Sequence, residues 1–129
     1  MSKGTDITAN DDSGEPTSRV VSRLVEILGA RLCAVIGDVK QTSIVREWID
    51  GKETPFGRGR VLRSALRVAE TIEGRCGSTV AQSWFQGANH SLSDETPALV
   101  LKRASRGAER ERFGAEENVS HALREFLDI

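Results

Sequence analysis

The sequence predicts an all-α protein built as two helical lobes sharing a core, and three observations carry that prediction. Apolar residues recur three and four positions apart in successive segments, which stacks them on one face of a helix. Glycines fall where those stripes run out, at Gly29, Gly37, Gly51, Gly77 and Gly87. Thr96-Pro97 has the chemistry of a helix start, with threonine as N-cap and proline at the first helical position, where a missing N–H costs no intrahelical bond.

Residues 1–16 hold Thr, Ser, Asn, Asp and Gly with almost nothing to bury, and are expected to form a disordered acidic tail. The first lobe covers residues 17–76. Its first helix runs from Thr17 or Ser18 to Leu28, with Val20, Leu24 and Ile27 beside Val21, Val25 and Leu28 on a wide apolar stripe. Gly29 stops it. A second helix, Ala30 to Ile36, turns Leu32, Val35 and Ile36 inward, and Gly37-Asp38 makes a tight turn. A third begins near Lys40 to Thr42 and ends at Asp50-Gly51, with Gly51 as its cap. It buries Ile44, Val45, Trp48 and Ile49 and leaves Ser43, Arg46, Glu47 and Asp50 open, with Lys40, Gln41 and Thr42 at its tip. Lys52 to Gly59 reads as a loop with glycine at positive φ rather than as an RNA-contacting GRGR run. A fourth helix, Arg60 to about Glu73, turns Val61, Ala65, Val68 and Ile72 inward. Arg60, Arg63 and Arg67 line up along its outside, either as a solvated face or as one that holds phosphate.

Gly74 to Gly77 separates the lobes, and the second covers residues 77–129. Ser78 caps a helix in which Val80 and Trp84, and Ala81 and Phe85, lie four apart, so both rings project from one broad apolar face. Gly87, Ala88 and Asn89 end it, with Gly87 or Asn89 suited to the left-handed conformation. A turn that buries Leu92 leads into the helix opened by Pro97. The segment KRASRGAERERFG mixes both charges and reads as a helix end and a loop. The last helix, Ala115 to Leu127, opens with Glu116 and Glu117, favourable near a positive helix terminus, and buries Val119, Leu123 and Phe126 with Ala122 and Leu127.

At 129 residues the chain suits one domain or two small lobes. Aromatic residues are few: no Tyr, four Phe and two Trp. No apolar run approaches the ~20 residues that span a bilayer, and no signal-peptide core stands at the start, so a cytoplasmic protein without a membrane partner is expected. The net charge of −1 hides an asymmetry. Residues 1–17 carry one Lys against four acidic residues, residues 18–76 carry eleven Lys/Arg against seven, and residues 77–129 carry six against eight. Nucleic-acid contact, if any, belongs to the basic middle third.

No GxSxG, HExxH, P-loop or GxGxxG run is present. His90 and His121 have no Cys, His or carboxylate at metal-ligand spacing, and Cys33 and Cys76 stand alone. The acidic pair Asp94-Glu95 is explained by the helix N-terminus that follows. No catalytic residue, metal or cofactor is expected. Trp84 and Phe85 are either core anchors or the border of a partner surface, since neighbouring helical residues point 100° apart.

The stretch WFQGANHSLSDETPALVL resembles the start of the Xre/MbcA/ParS antitoxin toxin-binding domain, through Trp84-Phe85, Asn89, Leu92, Pro97 and Leu101. Gly107 stands for the glycine after the proline helix, and Phe126-Leu127 for the closing helix. Upstream, IGDVKQTSIVREWIDGK resembles the second and third helices of Xre-type repressors, a helix-turn-helix with Val45 and Trp48 three apart. Two features depart from that pattern: the interval from Gly37 to Trp48 is longer, and Glu47 and Asp50 put negative charge on the face that would meet phosphates.

The resemblance implies a helix-turn-helix-like DNA-binding lobe packed with a toxin-binding or dimerisation lobe. The implied protein is a homodimer that neutralises a RES-domain toxin and represses its own operon. Lys40, Gln41, Thr42, Ser43 and Arg46 would contact the double-stranded DNA operator, with Arg60, Arg63 and Arg67 on phosphates. Phe85, Asn89, His90, Leu92, Asp94 and Glu95 would contact the partner. Two other readings remain open: a stand-alone transcriptional regulator without a toxin, and an interaction module whose helix-turn-helix has lost DNA.

Overall fold

A computed structural model of the chain describes residues 15–128. Among these residues it is helical throughout: seven α-helices, one 3-10 turn, and no strand beyond a single bridge between Asn89 and Glu95. The all-α expectation holds. The expected acidic tail lies outside the described residues except for Glu15 and Pro16, whose carbonyls accept from Arg63 and from the first turn of α1.

Helix α1 (Thr17–Leu28) buries Val20, Val21, Leu24, Ile27 and Leu28. Gly29, at φ +91°, ends it and redirects the chain into α2 (Ala30–Ile36). The end of α2 is a Schellman turn: Val39 N–H donates to Ala34 O at 2.9 Å and Asp38 N–H to Val35 O at 3.1 Å. The left-handed position of that turn, usually glycine, is taken by Asp38 at φ +61°. Helix α3 (Thr42–Ile49) inserts Val45 and Trp48 into the core and closes with a second Schellman turn, this time with Gly51 at φ +105°. The turn before α3 is pressed onto its far end, because a Cβ added at Gly37 would stand 2.8 Å from the Trp48 ring.

Helix α4 (Arg58–Cys76) is the axis of the molecule. Val61, Leu62, Ala65, Leu66, Val68, Ala69 and Ile72 are buried, and it packs against α1, α2 and α5 and also against α6 and α7. Burying a Leu, Ile or Val side chain stabilises by roughly 1.5–3 kcal/mol, so one helix binds both halves of the chain into a single continuous core. Helix α5 (Ser78–Gln86) adds Ala81, Trp84 and Phe85. The Gln82 side chain donates to Ile27 O at 3.0 Å, satisfying a carbonyl at the end of α1. The 3-10 turn His90–Leu92 buries Leu92, α6 (Pro97–Ala104) buries Pro97, Ala98, Leu101 and Ala104, and α7 (Glu109–Leu127) buries Arg112, Val119 and Ala122.

Five details differ from the sequence expectation. Ser78, expected as a cap, is the first residue of α5 and makes no capping hydrogen bond, the N-cap position being Gly77. Helix α4 starts at Arg58 and runs through Gly74 to Cys76, so only Gly77, at φ +91°, breaks the chain before α5. Helix α7 begins at Glu109 rather than Ala115. Its first turn is held by the Glu111 carboxylate accepting from Ala108 N–H, a bond that outweighs the weak helix propensity of Gly114. Gly87 and Asn89 are extended, and the left-handed residues of that loop are Ser93 and Asp94. Phe126, expected inside, is 45% exposed and covers Trp84 from the edge of the core, their ring centroids 6.1 Å apart. The Thr96 cap is as expected, its hydroxyl accepting from Leu99 N–H.

The glycines yield paired expectations. Gly37→Ala drives a methyl into the buried Trp48 ring and is expected to cost about 1–3 kcal/mol. Gly74→Ala meets nothing within 4 Å on an exposed stretch of helix and is expected to stabilise by about 0.5–1 kcal/mol. Thermal unfolding followed by circular dichroism checks both signs; equal melting temperatures for the two variants would contradict the packing described.

Candidate functional site

Val45 and Trp48, 0% and 3% exposed, fix the rotation of α3 and turn its other side to solvent. Lys40, Gln41, Thr42, Ser43 and Arg46 are all exposed, the first four at the N-terminal end of α3 and Arg46 in its last turn. Lys40 and Arg46 form no ion pair among the described residues. Ser43 donates to Gln41 Oε1 at 3.2 Å. Of the two acidic residues on this helix, Glu47 is offset by Lys52 at 3.6 Å, while Asp50 lies exposed at the far end.

The arginine stripe of α4 is used differently from end to end. Arg60 forks onto Glu116 of α7 at 3.2 and 3.5 Å. Arg63 donates to Glu15 O at 2.8 Å and to the Thr17 hydroxyl at 3.0 Å. Both guanidinium groups thus tie α4 to other parts of the chain instead of lining a solvated face. Arg67 is exposed and donates to the buried Ser64 hydroxyl.

What holds α3 in place is a feature that sequence reasoning missed. The Asp38 carboxylate, with 7% side-chain exposure, accepts from Arg106 at 2.8 Å and from Arg58 at 3.3 Å. The hydrogen bond from Arg106 leads in holding the Asp38 carboxyl below the usual carboxylate range, and the positive charges of Arg106, Arg58 and Lys102 add to it. The partners lie 20 and 68 positions away, so no local motif advertises them.

The expected partner residues fall into two groups. Phe85 is fully buried, its ring 5.3 Å from that of Trp84 in an edge-to-face pair, and cannot touch a partner without unpacking the core. Asn89 is a loop staple: its side chain accepts from Ser91 N–H, and its carbonyl accepts from Leu92 and Asp94. His90 and Asp94 are exposed. Leu92 and Glu95 line a groove of about 670 Å³ between the 3-10 turn, α6 and α7, with Val100, Gly114 and Asn118 on its other walls. Glu95 is paired with Arg103 across it.

No cluster of three or more His, Cys, Asp or Glu capable of holding a metal occurs among the described residues. Burial pushes the Cys33 thiol up to about 12, which leaves it protonated and inert. No described helix is long and apolar enough to cross a membrane.

Asp38→Asn keeps a residue tolerant of the left-handed backbone while removing the charge, and is expected to cost about 1–2 kcal/mol at neutral pH. Because folding lowers the Asp38 pKa, its contribution is complete above the unfolded carboxyl value of about 3.9 and disappears as pH falls through the lower folded value. Urea unfolding at pH 7 and at strongly acid pH checks this. The gap between wild type and variant should close in acid, and a gap independent of pH would contradict it. Compared with family models, with curated proteins and with solved structures, the chain matches none.

Proposed function

We propose that this protein is an antitoxin-like DNA-binding transcriptional regulator. Its α3 face contacts a double-stranded operator, and its α6–α7 groove holds a cognate toxin of the RES type. The observation that carries the reading is the division of α3: Val45 and Trp48 are sealed in the core, while Lys40, Gln41, Thr42 and Ser43 at its N-terminal end and Arg46 one turn further on are exposed. That is the arrangement by which a helix presents its N-terminal residues to a major groove about 12 Å wide. Arg46 supplies the fork that reads a guanine edge or clamps a phosphate.

The partner half of the proposal is supported by the groove that Leu92, Glu95, Gly114 and Asn118 line. It lies on elements that the resemblance to Xre/MbcA/ParS antitoxins assigns to toxin binding. Occupying the toxin and repressing the operon are then tasks of different surfaces on one rigid core. A homodimer would present two α3 tips to half-sites about 34 Å apart.

Two substitutions separate the tasks. Arg46→Ala is expected to weaken binding to a duplex from the promoter of its own gene about tenfold or more, with melting temperature unchanged. Asn118→Trp fills the groove and is expected to abolish co-purification with the product of the adjacent gene while leaving duplex affinity intact. Fluorescence anisotropy reads the first and affinity co-purification the second. Unchanged duplex affinity in Arg46→Ala would remove α3 from the DNA face.

A further inference from the structure

The turn before α3 carries more positive charge than its own fold requires. One carboxylate, Asp38, faces Arg58 from α4 and Arg106 from the loop between α6 and α7, and it also lies in the field of Lys102 from α6. Two guanidinium groups therefore hold one carboxylate, and Lys102 adds a weaker attraction from α6. Lys102 forms no ion pair among the described residues, and the Arg106 side chain is 66% exposed even while it holds Asp38. Arg106 contacts Asp38 through Nε and one Nη, leaving the rest of its five N–H donors for other acceptors. Asp38 stands two residues ahead of Lys40, a reach of at most about 7 Å, so the cluster borders the tip of α3 directly.

From this juxtaposition we infer that the C-terminal half contributes to the DNA face: Arg106 and Lys102 are a phosphate clamp beside the α3 tip. The inference rests on the duplex-binding reading of α3 and extends it to residues that the helix-turn-helix resemblance does not include. A helix seated in the major groove has a phosphate ridge on either flank, and cations bordering its tip reach one of them. Asp38 has a second role in this account. It positions Arg106 and at the same time holds down the net charge, so that unspecific attraction to DNA is limited.

Salt-dependent anisotropy with a labelled mixed-sequence duplex tests the clamp. Arg106→Gln and Lys102→Gln are each expected to reduce the slope of log K against log salt by about 1, and affinity about five- to tenfold near 0.1 M salt. Arg106→Lys, which keeps the point charge, should restore the slope. The control is Arg75→Gln, the same loss of charge at the opposite end of α4, about 26 Å from Arg58, and it should behave as wild type. If wild type binds and the Arg106 and Lys102 variants keep its slope, the clamp is overturned while the α3 reading stands. If wild type binds no duplex at any salt concentration, both are overturned.

Discussion

Asp38 occupies a backbone position that glycine usually fills, and the strain is offset because its carboxylate draws in Arg58 from α4 and Arg106 from the loop before α7. The left-handed conformation costs roughly 1–2 kcal/mol for most residues and less for Asp or Asn, whose short side chains bond locally. A hydrogen bond to a charged group returns about 1.5–3 kcal/mol where it is sheltered, and less where a partner is as open as Arg106. The clamp is therefore modest in net stability and large in geometric consequence. It fixes the turn between α2 and α3 to two distant parts of the chain, while Gly37 lets that turn close onto Trp48. With both ends of α3 held, its exposed residues are presented as a rigid set.

The long α4 decides how the two halves relate. It touches α1 and α2 as well as α5, α6 and α7, and one continuous apolar core includes residues of all of them. Arg60 bonding Glu116 adds a polar tie between α4 and α7. A molecule built this way has no flexible joint between the α3 tip and the α6–α7 groove. Anything bound at these two surfaces would be held at a fixed separation.

Much of this architecture was legible in the sequence, and the reasons are local. The stripes of α1, α3 and α4 follow from three- and four-residue apolar spacing, and the Thr96 cap from residue chemistry. What escaped was set by distance. Asp38 looked like an ordinary turn residue because its partners come from positions 58 and 106, and the ion pair within the arginine stripe was hidden because Glu116 lies 56 residues beyond Arg60. The start of α7 was hidden by Gly114 and by the scarcity of apolar residues across ERERFG, where a buried arginine, Arg112, takes the inward place. Phe126 had the right spacing for the core, yet it sits on the rim, where the helix leaves the body of the molecule.

Amide chemical-shift mapping of the isotopically labelled chain during titration with a DNA duplex addresses the central claim most directly. The account predicts perturbations concentrated in residues 40–46 and at Lys102 and Arg106, with residues 114–118 of the α6–α7 groove unmoved. Perturbations confined to 114–118, or spread without preference over all exposed arginines, would contradict it.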